Sequence, residues 1–280
     1  MAKQNKKTPD EMSFLDHLEE LRWHLIRSVV AVVVIGSGAF LMKNFIFDTV
    51  IFGPSRMDFP TYRVFCDIAT WMGFESDFCA DKLPFSIQSR QMGAQFSMHI
   101  WTSIWAGFIL GFPYILYEIW KFISPGLYEK ERQNSRGFIL IASLLFFSGV
   151  LFGYYVVAPL SINFLGTYQV SELILNEFDI DSYIGTVRTA VIACGVLFEL
   201  PIIIFFLTKV GIVTPEILKK YRKIALVVVL ILSAVITPPD VTSQIIVAVP
   251  VIILYQVSIY ISGFVLRKEA KKEQKLRKKG

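Results

Sequence analysis

Three carboxylates in this sequence stand where such a group calls for an explanation. Glu199 lies inside a long apolar run, just ahead of Pro201. A charge there is expensive, so the residue is either a functional or partnered group, or a carboxyl near the inner end of its span that reaches water. It reads as the single unambiguous carboxylate well inside an apolar run. Glu20 and Glu131 are individually ordinary, but both sit at the ends of apolar runs. Carboxylates accept the guanidinium fork in bidentate geometry, so a pair of them on one side of a membrane suits a basic peptide ligand. Enzyme signatures are missing: there is no G-x-x-x-x-G-K-[ST], no G-x-S-x-G and no H-E-x-x-H, and His17, His24 and His99 do not make a metal cluster. Any work must draw on a partner or on the membrane gradient.

The elements that must position these groups are apolar blocks. Hydrophobic residues make up 54% of the 280, charged residues only 18%, and the apolar residues are gathered into runs. Lipid cannot satisfy a backbone, so each run that crosses must be a helix of roughly 20 residues. The reading is one all-α polytopic membrane domain over 13–266 with six spans. They run from about Ile26 to Met42, Phe96 to Trp120 with a kink at Pro113, Phe138 to Ala158, Tyr183 to Leu207, Ile224 to Ile236, and Ile245 to before Arg267. The fifth has only 13 uncharged residues, roughly 20 Å of helix against a hydrocarbon core of roughly 30 Å. Either the bilayer thins there or protein covers the difference.

Ahead of the first span, Phe14, Leu18, Leu21 and Leu25 make one apolar stripe, which predicts an amphipathic surface helix over 13–25 after a disordered tail at 1–12. Outside loops are expected at 43–95 and 159–182, a cytoplasmic loop at 121–137, and a basic cytoplasmic tail at 267–280. Of the 28 Lys and Arg residues, 22 fall in the tails and the loops on their side, so both termini are expected in the cytoplasm. The net charge of +5 follows from that flanking pattern and says little about nucleic acid. Cys66 and Cys79 fall in the first outside loop, where they could close a disulfide or remain two free thiols, and Cys194 reads as packing within a span.

Four motifs then occur in order: His17-Leu18-Glu19-Glu20-Leu21-Arg22; Phe122-Ile123-Ser124-Pro125-Gly126-Leu127-Tyr128 followed by Glu131-Arg132; Phe198-Glu199-Leu200-Pro201; and Thr237-Pro238-Pro239-Asp240. With them, residues 13–262 resemble TatC, the multi-span receptor family of the twin-arginine protein translocase. The resemblance implies a curved, glove-like bundle of six helices in the bacterial cytoplasmic membrane, with no catalytic chemistry and no cofactor. It implies recognition of paired-arginine signal peptides on folded cargo by Glu20 and Glu131, in a site shaped by Glu19, Arg22, Phe122, Pro125, Leu127, Tyr128 and Glu129. It further implies docking of single-span TatA and TatB type subunits at Thr237 and Gln244, self-association in a larger complex, and export driven by the proton-motive force. Glu199 matches the family's intramembrane glutamate. The rival class is a proton-coupled secondary transporter or channel, against which stands the lack of an obvious internal repeat.

Overall fold

The computed structural model describes residues 14–73, 77–80, 82–123, 135–171 and 173–277. In chain order the elements are α1 (Phe14–Leu41), α2 (Pro60–Met72), β1 (Phe85–Gln88), α3 (Ala94–Ile123), α4 (Ser135–Phe152), α5 (Ala158–Thr167), β2 (Asn176–Asp179), α6 (Ile180–Phe198), α7 (Leu200–Lys209), α8 (Pro215–Lys220), α9 (Arg222–Ile236) and α10 (Val241–Arg277). They form two compact units, Met1–Ile46 with Gln95–Leu144 and Phe47–Ala94 with Leu145–Gly280. Among the described residues, five helices are long and apolar enough to cross a membrane: Leu18–Leu41, Ala94–Ile123, Gly137–Thr167, Ile180–Lys209 and Ser243–Lys268. The expected fifth span is α9, whose 15 residues reach about 22 Å.

In the first unit, α1 and α3 run antiparallel in backbone contact. A Cβ placed on Gly107 would come within 2.4 Å of the Val32 carbonyl oxygen and 2.8 Å of the Gly36 nitrogen, so only glycine allows this approach. At one end of the pair His99 stacks on Phe40, with ring centroids 3.9 Å apart, and its Nε2 lies 3.0 Å from the Phe40 carbonyl oxygen. The separate surface helix expected over 13–25 is not present. No proline or glycine interrupts the run from Phe14 to Ile35, and α1 continues unbroken into the span.

In the second unit the third span helix outlasts its expected end at Ala158. It passes through a π-helical segment, Gly153–Val157, and continues as α5 to Thr167, so the first part of the expected 159–182 loop is helix. The expected loop begins at Pro159, whose ring in an ordinary α-helix obstructs the carbonyl four residues back. That carbonyl belongs to Tyr155, and the wider π turn leaves it to accept a hydrogen bond from the Thr61 hydroxyl. Gly149 and Gly153 let α6 approach closely, since a Cβ at either would strike the Cys194 or Ala190 carbonyl oxygen at 2.5 and 2.6 Å.

The segment 43–95 is built rather than irregular. A π-helical segment, Phe45–Ile51, leaves carbonyls that two tyrosines take up, Tyr154 donating to Val50 O at 2.7 Å and Tyr183 to Ile51 O at 2.9 Å, and Tyr62 donates to Pro54 O of the following turn at 2.7 Å. Burial raises the pKa of the Tyr62 phenol, keeping it a donor. α2 starts on Pro60 and stops at Gly73, whose left-handed φ of 74° lets its N–H bond back to Ala69 and Thr70. Cys66 on α2 and Cys79 form a disulfide across 13 residues. β1 pairs in parallel with β2, Phe85 facing Asn176 and Gln88 facing Asp179, a two-stranded exception to the helical fold.

The fourth span is α6 and α7 joined at Glu199, whose own N–H bonds to Val196 while α7 resumes at Leu200 with Pro201 in its first turn. Thr208 donates to Ser262 at 2.9 Å, and Ile204, Leu218 and Ile259 form a small core between α7, α8 and α10. α10 begins at Val241 and stays helical to Arg277, so the expected tail from 267 continues the last span helix for most of its length.

Candidate functional site

The N-terminal motif places Glu20, His24 and Arg27 at i, i+4 and i+7 on α1, on one face of the helix. Glu20 is half-buried, while Glu19 and Arg22 are exposed. Opposite them stands a residue that the sequence reading passed over, Glu118 of α3, only 3% exposed. Its Oε2 lies 2.5 Å from His24 Nδ1 and 3.8 Å from Arg27 Nη1, and Tyr114, one turn earlier on α3, also hydrogen-bonds to it. Glu199 is therefore not the lone carboxylate within an apolar helix. The available signal for Glu118 was its type inside the apolar run before Lys121.

The same cluster reaches the end of α3. The Phe122 ring meets His24 edge-on at 6.2 Å, and Trp120 stacks on Phe138 of α4 at 4.5 Å. Glu20 thus lies one helical turn from the histidine against which the chain leaves α3. Pro125, Leu127, Tyr128, Glu129 and Glu131 lie outside the described residues.

Two further candidate regions belong to the second unit. Glu199 is 6% exposed, and among the described residues its Oε1 has no hydrogen-bond partner. The Thr237-Pro238-Pro239-Asp240 motif forms the turn from α9 to α10. Thr237 is extended, as a residue before proline must be, and Asp240 Oδ2 accepts the Ser243 N–H at 2.8 Å at the start of α10. Thr237 is buried with its hydroxyl on Ser233 O at 2.9 Å, and the Gln244 amide nitrogen donates to Leu230 O at 3.0 Å. The Thr237 hydroxyl caps the last turn of α9, and the Gln244 side chain ties α10 to α9 across the hairpin. Among the described residues no group of His, Cys, Asp and Glu could hold a metal ion.

The family model described as Sec-independent protein translocase protein (TatC) matches residues 16–250. The chain belongs to the TatC family. It is 44% identical over 265 residues to the Sec-independent protein translocase protein TatC of Blattabacterium sp. subsp. Periplaneta americana, covering 94% of this chain and all of that one. The TatC of Aquifex aeolicus is 34% identical over 92% of this chain and 98% of its own length. Two crystal structures of the twin-arginine translocase receptor TatC superpose on it with TM-scores of 0.65 and 0.68, at 30% and 32% identity, covering 89% and 88% of this chain and 98% and 99% of theirs. Membership makes the chain a membrane component of the Sec-independent, twin-arginine protein translocase, a transport protein. The TatC match extends over Glu20, His24, Glu118 and Glu199 alike.

Proposed function

We propose that this chain is the receptor and core subunit of its translocase, reading the paired arginines of signal peptides on folded proteins at the cytoplasmic face. The observation that carries the reading is the placement of Glu20 one turn from His24, which is fixed by Glu118 and packed against Phe122 at the α3 exit. The buried pair holds α1 to α3, so a carboxylate on that face meets its ligand without first being ordered. Glu131, with Glu19, Arg22, Phe122, Pro125, Leu127, Tyr128 and Glu129, completes the site in this proposal. An exposed ion pair contributes only about 0 to 1 kcal/mol, whereas two bidentate guanidinium pairs in a partly desolvated site do better. Lysine, a point charge without the planar fork, does worse.

The proposal extends to single-span TatA and TatB type partners docking near Thr237 and Gln244, export driven by the proton-motive force, six spans in the bacterial inner membrane and both termini in the cytoplasm. The test is binding of a twin-arginine peptide to the purified chain in detergent, beside the same peptide with both arginines changed to lysine. The expected result is a strong preference for arginine that Glu20→Ala and Glu131→Ala each reduce. Equal binding of the two peptides, with normal cargo export by both variants, would overturn it.

A further inference from the structure

Between α8, α9 and α10 lies a groove of about 660 Å³ whose lining brings together Lys219, Arg222 and Arg267, one cation from each helix. Among the described residues Glu216 is the lone carboxylate on the lining, and it is engaged by its own backbone N–H and the Thr214 hydroxyl at the start of α8. Arg222 does not hang free: its Nη2 donates to Gln256 Oε1 of α10 at 2.6 Å, which fixes one side of the guanidinium and leaves its other N–H groups for a ligand. The groove is open in front of Gly263, where a Cβ would meet only Pro215 Cγ, at 4.0 Å.

The other half of the argument is apolar. Ile253, Val257, Tyr260 and Phe264 follow one another at i, i+4, i+7 and i+11 along α10 and are 57%, 41%, 70% and 68% exposed. They form one uncovered stripe on a helix long and apolar enough to cross a membrane, and Tyr260 and Phe264 carry it into the lining of the groove. A hydrocarbon-facing stripe that ends among three cations has the two-part chemistry of a phospholipid. We propose that this groove binds the phosphate headgroup of an anionic phospholipid, whose acyl chains lie along the stripe. Arg222 supplies the planar fork to the phosphate, and Lys219 and Arg267 supply charge on either side.

The experiment is native mass spectrometry of the delipidated full chain in detergent, titrated with phosphatidylglycerol, with phosphatidylcholine of the same acyl chains, or with inorganic phosphate. The expected result is several-fold greater retention of phosphatidylglycerol than of phosphatidylcholine. That preference should be lost in the triple variant Lys219→Ala, Arg222→Ala, Arg267→Ala and kept in Lys223→Ala, which removes a neighbouring charge that does not line the groove. Gly263→Leu, which keeps every charge but projects a side chain into the groove, should reduce retention several-fold, and unchanged lipid-free melting identifies variants that remain folded. Equal retention of the two lipids, or equal losses in the triple and Lys223 variants, would overturn the proposal. Displacement of the lipid by inorganic phosphate at equal concentration, or full retention by Gly263→Leu, would reduce the groove to a surface anion site and overturn the lipid assignment.

Discussion

His24 Nδ1 and Glu118 Oε2 lie 2.5 Å apart although 94 residues separate them in the chain, and both side chains are almost wholly buried. A buried charge left without its partner is strongly destabilising, by about 3 to 5 kcal/mol. Glu118→Ala and His24→Ala should therefore each lower the melting temperature of the purified chain markedly. The double variant should lose less than the sum, because the second substitution removes the group stranded by the first. Strictly additive losses would mean that the two residues do not act as a pair.

The α1–α3 contact makes a second prediction that is independent of charge. Gly107→Ala forces a methyl group against the Val32 carbonyl oxygen and the Gly36 backbone, neither of which is a flexible side-chain end. Overpacking of this kind costs about 1 to 3 kcal/mol. Thermal unfolding should show that loss, whereas Gly38→Ala, where a Cβ would meet nothing within 4 Å, should be neutral or slightly stabilising.

The contrast between these sites and the spans explains what the sequence could disclose. Long apolar runs are legible because lipid leaves a crossing backbone no alternative to a helix, and the approximate positions of the span helices follow from that constraint alone. Glu20 was legible as a carboxylate at a span end. The His24–Glu118 pair was not, because nothing in either local pattern names a partner on another helix. The same holds for β1 and β2, four-residue strands whose pairing joins positions 91 apart. The helix that continues through Pro159 was not legible for a different reason: the cost of a proline to a helix depends on what receives the carbonyl it displaces, and the receiver, Thr61, lies on α2.

That last contact gives a third prediction. Thr61→Val keeps the shape of the side chain but removes the hydroxyl that serves the Tyr155 carbonyl beneath Pro159. Leaving this part-buried acceptor unsatisfied should cost about 1 kcal/mol, the low end for a buried one. The loss should appear as lower thermal stability and as faster proteolysis within 43–95, and Thr61→Ser should restore most of it. Equal behaviour of the valine and serine variants would show that the methyl group, not the hydrogen bond, matters at this position.

Cys66 and Cys79 close a 13-residue separation around the end of α2 and its left-handed Gly73. In the chain-entropy account a loop of this size contributes about 3 kcal/mol. Cys66→Ser should raise protease sensitivity of 43–95 while leaving peptide binding at the proposed α1 site unchanged. Alkylation of the unreduced wild-type chain should leave its mass unchanged apart from Cys194, if that buried thiol reacts.

Glu199 separates structural from functional burial. Its side chain sits at the α6–α7 junction, and among the described residues Oε1 has no hydrogen-bond partner, so the fold gains little from it. Replacing a polar group that lacks a partner by an apolar one of similar size is close to neutral or stabilising. Glu199→Leu should therefore melt within about 1 kcal/mol of the wild type or above it. If the carboxyl serves transport, export of twin-arginine cargo should fall several-fold in the same variant, and Glu199→Asp should recover more of it than Glu199→Gln. A large loss of stability with export per folded molecule unchanged would instead assign Glu199 to the packing of its span.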